Sequence, residues 1–280
     1  MNGPFSQEFF LSSQPPAASC RTPFYFGTNG SRLFGLYTTP HRYKAPTEAF
    51  IMCNPIGAEY LIAFPALERI SKALVDKGFG VLRFDYADTG QSFRGASAPD
   101  IETWLSNVTD AVDLLRLEHN LARISLFGVR FGASIALLAS RQIRVNSVIA
   151  LDPVLSPTVF ISELERMQRV FALALGRDLD YPAWKDDGSF EDMGAIVPKP
   201  IVDGLLSTDW LPQLPCQCRQ LLLVSSPRLH PEHKRGIESV LKSTPWGVRM
   251  PLDVEPVYRL SCASPVMVTE LCNRIVMLAS

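Results

Sequence analysis

Apolar positions along the chain switch repeatedly between short continuous runs and a spacing of three and four, the signatures of buried strands and of helices packed on one side. Runs over 24–26 and 33–38 are separated by Gly27-Thr28-Asn29-Gly30-Ser31, where Asn-Gly supplies the positive φ of a tight reversal, so a hairpin is predicted. A strand over 49–53 leads to Leu67, Ile70, Ala73 and Leu74 at helical spacing, stopped by Gly78. The alternation continues with a strand over 80–84, a helix carrying Trp104, Val108, Val112 and Leu115, a strand over 124–127, a helix over 133–141 and a strand over 148–151. Strands covered by helices on both faces should be apolar throughout, as these are, so the pattern predicts parallel β-α-β units.

Over 155–217 the alternation stops. This segment holds one amphipathic helix, with Phe160, Leu164, Met167 and Phe171 on a face, and a loop rich in Pro, Asp and Gly, and is expected to be a cap inserted over the sheet. The pattern resumes with a strand over 221–224, a helix over 232–242, a strand over 247–252 and a closing helix over 265–278. Residues 1–22 are expected to form a loose tail, with the core in 23–154 and 218–280.

Composition narrows the function classes. With 27 basic against 28 acidic side chains, a net charge of −1 and no continuous basic stretch, the chain is not expected to bind nucleic acid. No apolar run approaches the roughly 20 residues of a membrane helix, and the first twenty residues lack the basic start and apolar stretch of a secretory signal, so a cytoplasmic protein without a membrane span is expected. The six cysteines, at 20, 53, 216, 218, 262 and 272, read as free thiols, and no metal site is expected because Cys216 and Cys218 have no second ligand pair nearby. Neither a dinucleotide fingerprint nor a phosphate-binding loop is present, so no cofactor is expected.

The most informative stretch is 124–133, Ile-Ser-Leu-Phe-Gly-Val-Arg-Phe-Gly-Ala, a strand turning into a helix with Gly128 and Gly132 two places either side of Arg130. This turn resembles the nucleophile elbow, G-x-S-x-G, of the α/β-hydrolases, and the order of elements from about residue 23 onward is similar to theirs. Asn54-Pro55-Ile56-Gly57 stands where that family's oxyanion loop follows its third strand, and 85–92 resembles its D-x-x-G-x-G/S loop. The resemblance implies an α/β-hydrolase fold, a mostly parallel sheet with helices on both faces and an inserted cap. Residues 53–60, 82–86 and 128–133 together resemble a bacterial subgroup of serine-aminopeptidase-like hydrolases, the exosortase A system-associated hydrolases, which carry Arg in place of the elbow serine. That resemblance implies chemistry on an acyl ester, thioester or carboxylate intermediate, free or tethered to a carrier protein, in a secondary-metabolite or exopolysaccharide-linked pathway.

An arginine at the elbow cannot act as a nucleophile, so the standard serine mechanism is excluded there. At the start of a helix a guanidinium makes a seat for an anion, with the Phe131 backbone N–H and the Ile56–Gly57 loop as oxyanion donors. The alternative is that Arg130 only pairs with Glu59, Asp85 or Asp152, the acids ending neighbouring strands. Glu59 is the candidate general acid or base, and a His230–Glu255 pair is a second, since no histidine follows the last strand. His41 and His119 read as surface residues, and Cys53, Ser92 and Ser134 as inert thiol, turn and helix positions. Phe160 and Leu164 would line the roof of a substrate pocket. Because Glu59, Asp85, Arg130 and Asp152 converge on one sheet edge, the expected function is an enzyme of nonstandard chemistry; the alternative is a catalytically silent binding protein that keeps the hydrolase pocket.

Overall fold

The computed structural model describes residues 19–28, 32–40, 46–93, 95, 97–176, 183–207 and 216–252, together with 269, 271 and 273. Eight strands form one sheet in the order β1-β2-β4-β3-β5-β6-β9-β10. The hairpin β1 (Ser19–Phe26) and β2 (Leu33–Pro40) is antiparallel, and β2 also runs antiparallel to β4 (Gly80–Phe84). From β4 through β3 (Glu48–Cys53), β5 (Arg123–Val129), β6 (Val145–Leu151), β9 (Cys218–Ser225) and β10 (Val248–Pro251) every pairing is parallel.

Strand alternation splits the core in two. In β3, Ala49, Ile51 and Cys53 face one layer while Phe50 and Met52 face the other, and all are buried, as both faces of a parallel sheet require. One layer is built with α2 (Ile101–Leu117), α3 (Phe131–Gln142) and α6 (Pro231–Ser243), the other with α1 (Gly57–Asp76) and Leu271. The start of α2 is fixed by a reciprocal cap in which the Asp100 carboxylate accepts from the Thr103 backbone N–H at 2.8 Å.

Between β6 and β9 lie α4 (Pro157–Ala174), a two-stranded ribbon of β7 (Phe190–Asp192) and β8 (Ala195–Val197), and α5 (Lys199–Ser207). The ribbon and α5 fall where the sequence reads as loop: three-residue strands carry no periodicity, and only Ile201, Val202 and Leu205 mark the buried face of the nine-residue α5. On α4, Phe160 and Leu164 are buried whereas Met167 and Phe171 are half-buried, so the expected apolar stripe is complete only in its first half. The first strand also begins earlier than expected. Residues 19–22, assigned to a loose tail, pair with 37–40 of β2. Among the described residues no helix is long and apolar enough to cross a membrane. The 29–31 turn, Glu255, His41 and most of the closing helix lie outside the described residues.

The turn from β5 to α3 depends on two glycines. A Cβ on Gly128 would overlap the backbone of Gly132 and Ala133, and one on Gly132 would overlap the carbonyls of Cys53 and Asn54 at the end of β3. These neighbours are backbone held in the sheet and cannot step aside. Gly132→Ala is therefore expected to lower stability by about 3 kcal/mol or to prevent folding, whereas Gly95→Ala, at an exposed glycine with only ordinary contact distances around its Cβ, should change it by less than about 0.5 kcal/mol. Urea unfolding of the two variants against the parent checks both.

Candidate functional site

Arg130 occupies the crest of this turn with φ 53 and ψ −121, a conformation that L-residues seldom adopt and that costs on the order of 1–3 kcal/mol. The surrounding backbone enforces it: Arg130 N–H donates to the Leu151 carbonyl at 2.9 Å, and its own carbonyl accepts from Ala133 at 3.0 Å. A strained turn from strand to helix thus carries arginine at its crest.

Its side chain is only 1% exposed and lines none of the cavities of about 260, 710 and 30 Å³. Nε donates to Glu59 Oε1 at 3.0 Å, Nη2 pairs with Glu163 of α4, and the guanidinium lies 5.1 Å from the centre of the Phe160 ring. Glu163 in turn faces His233 Nε2 at 3.8 Å. His233 Nδ1 accepts from the backbone N–H groups of Leu155 at 3.1 Å and Ser156 at 3.2 Å, so in the neutral ring the proton sits on Nε2, toward Glu163. Glu59, Arg130, Glu163 and His233 form one buried chain joining α1, the elbow, α4 and α6. Burial pushes the Glu59 carboxyl up to about 7 against the opposing pull of Arg130. Burial also pushes Glu163 up, but the His233 hydrogen bond and the Arg130 charge outweigh it and hold that carboxyl at about 2. Burial lowers the His233 pKa, favouring its neutral form.

A second anion position lies at the start of α1. The Ala58 N–H, which opens the helix after the oxyanion-type loop, donates at 2.8 Å to Asp192 Oδ2 from β7. Gly57, at φ 62, is needed here because a Cβ would run into that same carboxylate. Burial raises Asp192 to about 6, partly countered by the Ala58 hydrogen bond. Glu59, Glu163 and Asp192 line a cavity of about 30 Å³, room for one water molecule. Among the described residues no group of His, Cys, Asp and Glu is arranged to hold a metal ion.

A cleft lies beside this turn. A cavity of about 260 Å³ opens between the loop after β3, the loop after β4, α2 and β8, lined by Asn54, Ile56, Gly57, Tyr86, Trp104 and Ile196 among others. Tyr86 stacks on Trp104 at 4.7 Å, and Asn54 Nδ2 donates to the Phe84 carbonyl at 2.8 Å, so its walls are fixed by the core. Leu61 and Ile196 at its walls are 68% and 55% exposed.

The structure separates the other candidates. Asp85 accepts from Gln91 N–H at 2.8 Å and Tyr60 Oη at 3.3 Å, organising the loop after β4 and not Arg130. Asp152 accepts from Ser226 N–H at 2.7 Å, joining the ends of β6 and β9. His230 caps α6, its Nδ1 accepting from Glu232 N–H at 3.2 Å, and its expected partner Glu255 lies outside the described residues. Phe160, expected over a substrate, instead stacks on Phe131 at 6.3 Å and on the Arg130 guanidinium, while Leu164 reaches only the small cavity. Ser134 Oγ donates to the Val154 carbonyl at 2.6 Å, Ser92 Oγ to the Asp85 carbonyl at 2.6 Å, and burial pushes the Cys53 thiol up to about 12, so none is an activated nucleophile.

Three side chains of this cluster escaped the sequence reading. Glu163 is three residues from Phe160 on the buried stripe of α4, and His233 is four before Ile237 and seven before Val240 on that of α6; a polar residue on an apolar face was the available signal. Asp192, in a three-residue strand, gave none.

No protein-family model and no curated protein sequence matches this chain. Solved structures do match in shape. An esterase of Pyrococcus furiosus covers 99% of this chain and 97% of its own length, with a TM-score of 0.66 and 13% identity. The ferulic acid-bound Est1E of Butyrivibrio proteoclasticus covers 90% and 97%, at 0.60 and 17%. A lidless α/β serine hydrolase of Xanthomonas campestris covers 95% and 96%, at 0.55 and 16%. At these identities the likeness is one of architecture, and it agrees with the topology of the sheet: the chain has the α/β-hydrolase fold.

Proposed function

We propose that this chain is a binding protein on a hydrolase scaffold, which holds a small, largely apolar molecule with an acyl ester, thioester or carboxylate end in the 260 Å³ cleft without forming a covalent intermediate at residue 130. The carrying observation is that the protein's own acids fill the anion positions of the elbow: Glu59 and Glu163 neutralise Arg130, and Asp192 takes the N-terminus of α1. A substrate oxyanion has neither seat open to it. Fixed aromatic walls and exposed apolar residues at the mouth suit a ligand whose binding rests on apolar contact. In this reading residues 155–217 are a cap fastened to the core by the ion chain.

The pKa of Glu59 favours a second reading. A carboxyl held at about 7 beside the elbow has the properties of a general acid or base. An enzyme acting on an acyl ester, thioester or carboxylate intermediate, free or carrier-bound, would use it after α4 lifts from Arg130; the likeness of three loops to the exosortase-associated hydrolases supports this reading.

Short- and medium-chain carboxylates, esters and thioesters offered to the purified protein separate the two. The binding reading expects a rise in Tm, up to about 2.7 kcal/mol of added stability at a hundredfold excess over Kd, recovery of intact ligand, and no labelling by fluorophosphonate probes. Arg130→Ser should not create a hydrolase. Turnover abolished by Glu59→Gln would overturn it in favour of the enzyme.

If the guanidinium fastens the fold, Arg130→Ala leaves two acids buried around an empty space and should lose about 3–5 kcal/mol. The combined change Glu59→Leu, Arg130→Met, Glu163→Leu should recover most of that, because no charge is left uncompensated. Denaturant titration of the single and triple variants reads the difference.

The same chain predicts a pH dependence. Glu59 and Asp192 are raised from ordinary values of 4.5 and 3.8 to about 7 and about 6, so the folded chain holds protons that the unfolded chain has released, and stability falls as pH rises from about 4.5 to 7. Glu163 is lowered from 4.5 to about 2, so its contribution is present above 4.5 and is lost as pH falls toward 2. The free energy of unfolding should therefore decline on both sides of about pH 4.5, and Glu59→Gln should flatten the upper limb while leaving the lower one.

A further inference from the structure

At the edge of the sheet opposite the Arg130 turn, the segment between β6 and β9 rejoins the core through Cys216-Gln217-Cys218. In an extended strand, side chains two apart point the same way but stand too far apart for their sulfurs to bond. Here the chain bends at Gln217, just before β9 begins, and the two thiols meet in a hydrogen bond. The bend is held from three directions. Gln217 N–H donates to the Ser140 carbonyl at 2.6 Å, its Nε2 donates to the Arg141 carbonyl at 2.6 Å, and its own carbonyl accepts from Val145 N–H at 3.0 Å. Cys218 is then in register with Val145 of β6. The last turns of α3 and the start of β6 thus fix both cysteines before any bond between them forms.

The two sulfurs are chemically unequal. Cys216 is buried beside the Ser140 hydroxyl of α3, while Cys218 is half-buried. The hydrogen bond from Cys218, with the Arg141 charge nearby, outweighs burial and pulls the Cys216 thiol down to about 7, whereas the same contact and burial push Cys218 up. Cys53 shows the contrast, since burial pushes its thiol up to about 12. One sulfur is therefore available as a thiolate with a protonated thiol in contact with it, the arrangement of an attacking cysteine and its resolving partner. Both pack on the apolar layer of α2, α3 and α6, where a cysteine that only fills space needs no second thiol beside it.

We propose that Cys216 and Cys218 are a redox-sensitive pair, oxidised by a hydroperoxide to an intramolecular disulfide and returned to two thiols by a dithiol reductant. The Cys216 thiolate attacks the terminal oxygen of the peroxide and the O–O bond breaks. Its sulfur becomes a sulfenic acid, and the other oxygen leaves as alkoxide or hydroxide and takes a proton from water. The Cys218 sulfur then attacks the sulfenic sulfur, an S–S bond replaces the S–O bond, and the hydroxyl leaves with the Cys218 proton as water. Two electrons pass from the thiol pair to the peroxide. The ring so closed spans three residues and adds little constraint to the unfolded chain, which makes this an exchangeable bond and not a staple. The pair lies at the far end of the strands from the cleft and stands whether or not the cleft binds a ligand.

Hydrogen peroxide applied to the purified full chain at neutral pH, followed by iodoacetamide and tryptic mapping, tests the assignment. The peptide ending at Arg219, which carries both cysteines, should lose about 2 Da and escape alkylation. This should happen several-fold faster than exposed Cys20 is oxidised, and dithiothreitol should restore both thiols. Cys218→Ser should leave Cys216 as a sulfenic acid that dimedone traps, with circular dichroism unchanged, while Cys216→Ser should give no adduct at Cys218. Two alkylatable thiols in that peptide after treatment, a bond from either cysteine to a different one, or oxidation no faster than that of Cys20 would each overturn the proposal. So would the absence of a dimedone adduct at Cys216 in a folded Cys218→Ser chain.

Discussion

A guanidinium that is 1% exposed at the start of a helix is the constraint on which the rest of this structure turns. Burying a charge without a partner costs several kcal/mol, and the positive end of α3 makes a cation there worse still. Arg130 cannot relieve this by losing its proton. The chain answers with carboxylates from two directions, Glu59 from the first turn of α1 and Glu163 from α4. The second pairing reaches into the segment between β6 and β9, so the ion pair that neutralises Arg130 also ties that segment to the sheet.

In the proposed reading the turn keeps the backbone of a hydrolase elbow and changes its electrostatics. A nucleophile elbow uses strain, two close-packed glycines and amide donors to present a hydroxyl to substrate and stabilise an oxyanion. Here the strain and the glycines remain, with φ 53 at Arg130 and no space for a Cβ at Gly128 or Gly132. What changes is the side chain, a cation in place of a neutral hydroxyl, and the identity of the anions, which are the protein's own. Asp192 at Ala58 follows the same logic: the helix start offered to an oxyanion in a hydrolase is met by a carboxylate of the ribbon.

Much of this was legible in the sequence, and the boundary between what was and was not has a physical basis. The parallel strands are short, apolar on both faces and separated by helices with a 3.6 period, so their order and type follow from pattern alone. The elbow was readable because Gly128 and Gly132 are sterically obligatory, and Glu59 because it stands in the first turn of α1, just after the loop that meets the elbow. The positions of Glu163, His233 and Asp192 depend on how the segment between β6 and β9 folds back on the sheet, a long-range matter that local periodicity does not encode. For the same reason Asp85 and Asp152, equally well placed on the sheet edge by sequence, proved to be tied to Gln91 and Ser226.

These ties are also the reason a single substitution at residue 130 is expected not to produce a serine hydrolase. His233 has its Nδ1 occupied by two backbone amides and turns Nε2 to Glu163, so its one free edge is already committed to an acid of α4. A serine at 130 would find Glu59 and Glu163 facing each other across the volume the guanidinium leaves, two carboxylates with no cation between them. Their repulsion, and the proton uptake that relieves it, would act to loosen α4 before any hydroxyl was activated. The arginine and its two acids are a single electrostatic unit, and a change of chemistry at this elbow has to replace all three together.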